Sequence, residues 1–109
     1  MMALQVHFAK LNCIETEDAG ADECIVRWNN HEIWRGDMKG GRVRDLNSFV
    51  LMPQEGFGVV SLTDEDSPDE DDHLGAHTIR KDELNQGWHR ANFLADEANY
   101  FLDYEVFEA

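Results

Sequence analysis

The 109-residue sequence has little positive charge. Nine Lys and Arg stand against 23 Asp and Glu, which leaves a net charge of −14. Binding the phosphate backbone of a nucleic acid, or adhering unaided to anionic lipid, requires a basic footprint. The composition therefore argues against both partners, and it favours cations or basic proteins instead.

The sequence also lacks long apolar runs. No stretch approaches the roughly 18 apolar residues of a membrane-spanning helix, so we expect no transmembrane segment. The N-terminal stretch "MMALQVHFAKLNCIE" has neither the basic start nor the apolar run of a secretory signal. We therefore expect a cytoplasmic protein, with leaderless export left open.

Cysteine is scarce as well. Cys13 and Cys24 are the only two, and their spacing does not match a metal-binding motif. Two cysteines close at most one loop, which excludes a disulfide framework. Two interpretations stay open: a pair of buried small apolar residues, or one disulfide between the strands that flank residues 15–23.

Known catalytic motifs are missing from the sequence. It contains no Gly-x-Ser-x-Gly, no phosphate-binding glycine-rich loop and no His-Glu-x-x-His. Paired carboxylates can hydrolyse glycosides, but this small chain has no insertion to form a deep cleft. His73 and His77 would lie about 13 Å apart along a strand, too far to share a zinc ion. We expect a binding module rather than an enzyme.

Hydrophobic residues make up 42% of the sequence and include three Trp and six Phe, enough for one folded domain over residues 1–109. Apolar and polar residues alternate in "ALQVHFAKL", "ECIVRWN" and "YFLDYEVF", the period of a strand with one buried face. Asn29-Asn30 predicts a hairpin, and "ADEA" predicts a turn before the last strand, near 99–107. About eight short strands and no convincing long helix predict an all-β fold, an antiparallel β-sandwich.

Two acidic segments interrupt this pattern. Residues 64–72, "DEDSPDEDD", hold seven carboxylates, and residues 15–23, "ETEDAGADE", hold five. Two like charges about 5 Å apart repel by roughly 3 kcal/mol at an effective dielectric near 20. If the sandwich brings both segments to one end, cations or protonation must relieve that repulsion.

Calcium suits such a cluster because it takes about six to eight hard oxygen ligands in irregular geometry. The EF-hand loop does not fit the spacing. Counted from Asp64, its fifth and sixth positions fall on Pro68 and Asp69, where that loop needs an acidic or amide residue and then a glycine. A different scaffold must therefore hold the ion.

The segment "VSLTDEDSPDEDDHLG" resembles the third calcium-binding loop of the C-two domain, the calcium-and-lipid-binding β-sandwich of protein kinase C and synaptotagmin. In that family a strand ends in Asp-x-Asp, a further Asp follows six residues later, and an apolar residue and Gly open the next strand. By the same resemblance, residues 15–23 correspond to the first loop. The resemblance implies a calcium cofactor with the ligands Asp18, Asp22, Asp64, Asp66 and Asp72, to which Glu17 and Asp69 can add oxygens.

The sequence departs from the family at the loop tips. Members that insert into membranes carry apolar or basic residues there, whereas these tips read Ala19-Gly20-Ala21 and Ser67-Pro68. We therefore expect a calcium-binding module with a structural or interaction role, in which calcium can bridge to a protein or a lipid head group. The alternatives are a metal-independent acidic protein-interaction domain and a calcium-dependent phospholipid-binding domain.

Overall fold

The computed structural model describes residues 3–16, 21–65, 72–95 and 98–108. These residues form eight strands and one short 3-10 turn, Lys81–Glu83. The strands are β1 (Leu4–Glu15), β2 (Asp22–Trp28), β3 (His31–Met38), β4 (Val43–Leu51), β5 (Phe57–Asp64), β6 (Asp72–Arg80), β7 (His89–Ala95) and β8 (Ala98–Glu108).

The strands form two antiparallel sheets of four. Sheet I has the order β4-β1-β8-β7, and sheet II has the order β3-β2-β5-β6. The inner faces of the two sheets pack together around one hydrophobic core. The predicted antiparallel β-sandwich of about eight strands is therefore confirmed, including the last two strands. The turn predicted at "ADEA" includes residues 96–97, which lie outside the described residues.

The period-two alternation of the sequence decides which side chains enter the core. Along β8, every second residue from Ala98 to Val106 is buried, and the residues between them are half-buried. In β1 the alternation is interrupted near Ala9, where a bulge shifts the register between Phe8 and Lys10. The bulge keeps both Phe8 and Leu11 in the core, although they are three residues apart.

The predicted hairpin at Asn29-Asn30 is confirmed. Both residues have positive φ, 49° and 70°, which Asn tolerates better than most residues and which a two-residue hairpin requires. The Trp28 ring before it covers Gly58, where an added Cβ would lie 2.2 Å from the indole. The Trp28 indole N–H also donates to the Leu51 carbonyl on sheet I, 3.2 Å away, and so links the two sheets.

Cys13 and Cys24 are both free and buried. Their interpretation as buried small apolar residues is confirmed, and the alternative of a disulfide between them is wrong. Within the described ranges, no helix is long and apolar enough to cross a membrane.

The up-and-down course of the chain brings four connections to one end of the sandwich: β1–β2, β3–β4, β5–β6 and β7–β8. The first and third of these are the two acidic segments. We call this the acidic end, defined by residues 15–23 and 64–72. The strand ends that flank the two segments, Glu15, Asp22, Asp64 and Asp72, therefore lie at the same end of the sandwich.

Candidate functional site

The described part of the acidic end is built from the ends of three adjacent strands. In the pairing register, Cys24 of β2 lies opposite Asp64 of β5, and Asp64 lies opposite Asp72 of β6. The Glu65 N–H donates to the Glu23 carbonyl at 2.8 Å, which continues the β2–β5 ladder one step beyond the strand. The acidic residues at the ends of β2, β5 and β6 therefore lie on neighbouring strands of one sheet.

Two of these carboxylates are deep inside the protein. Asp22 is 0% exposed and Asp64 is 1% exposed, while Asp72 is half-buried. The backbone N–H of Glu23 donates to Asp64 Oδ1 at 3.0 Å. Removing a carboxylate from water is costly unless hydrogen bonds or opposite charge compensate it, so buried acids of this kind usually have a function.

Tyr100 holds Asp22 from the opposite sheet. Its hydroxyl donates to Asp22 Oδ2 at 2.5 Å, across the interior from β8 to β2. Burial raises the pKa of Tyr100, and the hydrogen bond to Asp22 raises it further, so the phenol stays a donor. The sequence does not identify Tyr100 as part of the site, because 78 positions separate it from Asp22. Alternation in "YFLDYEVF" predicts only that Tyr100 lies on the same face of the strand as Leu102 and Tyr104.

The thiols of Cys13 and Cys24 lie close to the Tyr100–Asp22 pair. Cys13 is the register partner of Tyr100, and Cys24 is that of Asp64. Burial raises the pKa of Cys24 to about 12; the Tyr100 hydrogen bond opposes this, and the charges of Asp22 and Asp64 add to it. Burial also raises the pKa of Cys13. Both stay protonated at neutral pH, so the site offers hard carboxylate oxygens rather than soft thiolates.

At the rim of the site, Glu65 forms an ion pair with Arg35. Arg35 of β3 contacts Glu65 at 2.9 Å and Glu32 at 2.7 Å. Arg35 is about half exposed, so these ion pairs contribute little to stability. They do bring a positive charge to Glu65, at the outer edge of the acidic end.

Three of the seven predicted ligands fall within the described residues: Asp22, Asp64 and Asp72. Four fall outside them, namely Glu17, Asp18, Asp66 and Asp69. Within the part of the chain that the structure describes, no three His, Cys, Asp or Glu side chains converge closely enough to hold a metal ion. Two buried carboxylates match the chemistry of a hard cation such as calcium, which would need further oxygens from the rest of the acidic end.

Comparison with known proteins finds no matching family model and no matching curated protein. Solved structures do match over almost the whole chain. The C-two-A domain of plant extended synaptotagmin 1 aligns with a TM-score of 0.64 and 12% identity, over 98% of this chain and 93% of that one.

Two structures of the C-two-A and C-two-B domains of extended synaptotagmin 2 also align, each with a TM-score of 0.59 over 98% of this chain. One is 25% identical, with 40% of its chain covered. The other, a calcium-bound structure, is 22% identical, with 45% covered. The sandwich therefore has the same overall fold as these domains.

Proposed function

Since the chain is a C-two-like β-sandwich, we propose that it is a calcium-binding module with a structural or interaction role, whose ions are held between residues 15–23 and 64–72. The observation that supports this most directly is the burial of Asp22 and Asp64 on adjacent strands at the acidic end. Calcium-bound extended synaptotagmin 2, which shares the fold at 22% identity, also supports it.

Asp22, Asp64 and Asp72 are the proposed ligands on the strand ends, and Glu17, Asp18, Asp66 and Asp69 are the proposed ligands from the two acidic segments. When bound, calcium supplies the positive charge that offsets mutual repulsion among these carboxylates. The protein contributes the fixed part of the site: Tyr100 orients Asp22, and the Glu23 N–H orients Asp64. Preorganised ligands bind more tightly because less side-chain freedom is lost on binding.

Thermal unfolding tests the proposal. An ion that binds only the folded state stabilises it by mass action, about 2.7 kcal/mol when free calcium is about 100 times the Kd. We expect calcium to raise the melting temperature by several degrees, and a chelator to reverse the rise. Magnesium should act more weakly, because it needs a stricter octahedron and dehydrates reluctantly. An unchanged melting temperature at millimolar calcium would exclude the proposal.

The same samples distinguish the two alternative functions. A metal-independent acidic docking domain would bind a basic peptide more weakly as salt is raised, with no response to a chelator. A calcium-dependent lipid-binding domain would sediment with phosphatidylserine vesicles in calcium and stay in solution with chelator. A calcium-binding module without lipid affinity shows the melting shift and stays in solution in both.

A further inference from the structure

The outer face of sheet I carries most of the exposed apolar side chains. Among the residues that the structure describes, eight large apolar side chains are exposed, and two of them, Phe57 and Val59, belong to sheet II. The other six lie on the strands of sheet I or directly before β7: Ile14, Val43, Phe49, Leu51, Trp88 and Leu94. Apolar side chains gathered on one face of a protein commonly mark an interaction surface.

Part of this face is an aromatic cluster. The His7 ring stacks on Phe49 with centroids 4.3 Å apart, and Trp88 lies 5.5 Å from His7 on the other side. Phe107 approaches Phe49 edge-on at 6.1 Å. Phe49 and Trp88 remain 58% and 56% exposed. A depression of about 630 Å³ opens beside Trp88, with Lys10, Arg90 and Asp103 in its lining.

Next to the aromatic cluster, one row of charges crosses the whole sheet. Asp45 of β4 pairs in register with Lys10 of β1, Lys10 pairs with Asp103 of β8, and Asp103 pairs with Arg90 of β7. Arg90 Nε lies 3.1 Å from Asp103 Oδ1. In the order of the strands, the row reads negative, positive, negative, positive. Read in the reverse direction, the row is positive, negative, positive, negative, so each charge would face an opposite charge in a second, reversed copy of the row.

We propose that this face of sheet I binds the same face of a second copy of the chain, around a two-fold axis that runs along the strands between β1 and β8. That axis reverses the row, so Asp45 faces Arg90 of the second copy and Lys10 faces its Asp103, each contact occurring twice. A two-fold axis along the row is the other in-plane choice. It would place each charged residue opposite the same residue of the second copy. Like charges brought together cost several kcal/mol, so charge selects the first arrangement.

The same axis aligns the aromatic cluster. It brings Phe49 of one copy over Trp88 of the other, beside the depression. It also brings His7 over Glu105 of the second copy; within one chain, His7 Nδ1 already lies 3.7 Å from Glu105 Oε1. Desolvated aromatics supply most of the affinity of an interface, while the charges set its register. The strand ends that flank the acidic segments lie at one end of the sandwich, and the axis, which runs along the strands, places these ends on the same side of the dimer.

Sedimentation velocity over a dilution series, at moderate salt and with chelator, tests the charge row. We expect the wild-type chain to form a dimer as concentration rises. Lys10→Asp and Asp103→Lys should each weaken the dimer about tenfold or more, because each turns two attractive contacts into repulsive ones. The double variant restores the two contacts between positions 10 and 103 with exchanged signs and leaves the two between Asp45 and Arg90 as they were. We expect its Kd to return to within about threefold of wild type.

Lys81→Asp is the matched control, since it makes the same charge change on the 3-10 turn, away from the row. A double variant as weak as the single ones, or a control as weak as Lys10→Asp, would overturn the proposed geometry. Circular dichroism melts of each variant separate loss of association from loss of folding.

The aromatic contact is tested by a pair of exposed phenylalanines. Phe49→Ser should abolish the dimer at concentrations where wild type associates, whereas Phe57→Ser, on sheet II, should leave it unchanged. Equal loss in both variants would place the interface elsewhere. A wild-type chain that stays monomeric at millimolar concentration would overturn the proposal and leave this face to a different partner.

Discussion

The two ends of the sandwich each contain a tyrosine that donates to a carboxylate, but the groups around the two carboxylates differ. Tyr100 and Tyr104 lie four residues apart on the buried face of β8. At the acidic end, Tyr100 donates to Asp22 of β2. At the opposite end, Tyr104 donates to Glu83 of the 3-10 turn. Burial raises the pKa of both tyrosines, so each remains a donor to its carboxylate.

The carboxylate at the opposite end is surrounded by groups from its own chain. The Arg80 N–H donates to Glu83 at 2.7 Å, and His89 Nδ1 lies 3.8 Å from it. His77 Nε2 lies 3.0 Å from the Tyr104 hydroxyl. This end therefore carries its own donors and imidazoles. At the acidic end, the strand-end neighbours are further carboxylates, Asp64 and Asp72, which favours a cation from outside. The same pair of side chains thus forms a structural joint at one end and, under the proposed function, supports an ion site at the other.

Removing one negative charge from each end should reveal the largest difference between the two ends, in calcium affinity. We expect Asp64→Asn to weaken calcium binding on the order of a hundredfold, because ligand charge largely sets calcium affinity, while the amide oxygen can still accept the Glu23 N–H. Glu83→Gln, with the same loss of charge at the opposite end, should leave the affinity unchanged. Calorimetric titration measures both. Equal losses in the two variants would mean that net charge alone, rather than a site at the acidic end, attracts the ion.

Removing the hydroxyls of Tyr100 and Tyr104 tests whether only one of the two tyrosines affects ion binding. Without calcium, Tyr100→Phe should lower the free energy of unfolding by about 1–3 kcal/mol, because it leaves the buried Asp22 short of a donor. Tyr104→Phe should lower it by less, because Glu83 is half-buried and keeps the Arg80 N–H. Urea unfolding measures this loss. With calcium, Tyr100→Phe alone should also weaken ion binding several-fold, because Asp22 loses its orientation. A Tyr104→Phe variant with equally weakened ion binding would contradict the separation of the two ends.

The smallest effect concerns pH. Burial lowers the pKa of His77; Glu83 opposes this shift and His89 adds to it. A folded-state pKa below the unfolded value means that protonation favours the unfolded chain. The contribution of His77 to the free energy of unfolding is complete above about pH 6.5, and it is lost as the pH falls through the pKa that His77 has in the folded state. We expect His77→Gln to flatten that part of the curve in urea titrations with chelator. An unchanged slope would show that His77 is not the group responsible.

The features that the sequence predicted are those set by local pattern. Alternation in "YFLDYEVF" identified the inner face of β8, and Asn29-Asn30 identified a hairpin whose positive φ angles the structure confirms. Strand order then brought the two acidic segments to one end without any knowledge of side-chain contacts. The proposed ligands Glu17, Asp18, Asp66 and Asp69 stay predictions, since they lie outside the described residues.

The features that the sequence did not predict depend on contacts and registers between residues that are far apart in the chain. The bond from Tyr100 to Asp22 joins residues 78 positions apart, and its existence requires both the strand order and the register. The bulge at Ala9 shifts which residues of β1 face outward, and so sets Lys10 in line with Asp45 and Asp103. Period-two patterns cannot locate such a shift, because a bulge exchanges the two faces of a strand.

The three tryptophans occupy different environments: Trp28 is 6% exposed over Gly58, Trp34 is half-buried and Trp88 is 56% exposed on sheet I. Indole emission moves to shorter wavelength when water is excluded, so Trp88 can act as an intrinsic optical probe of whatever covers that surface, while Trp28 reports on the interior. Acrylamide quenches exposed indoles most strongly, so a fall in quenching of the unlabelled protein would report that Trp88 has become covered.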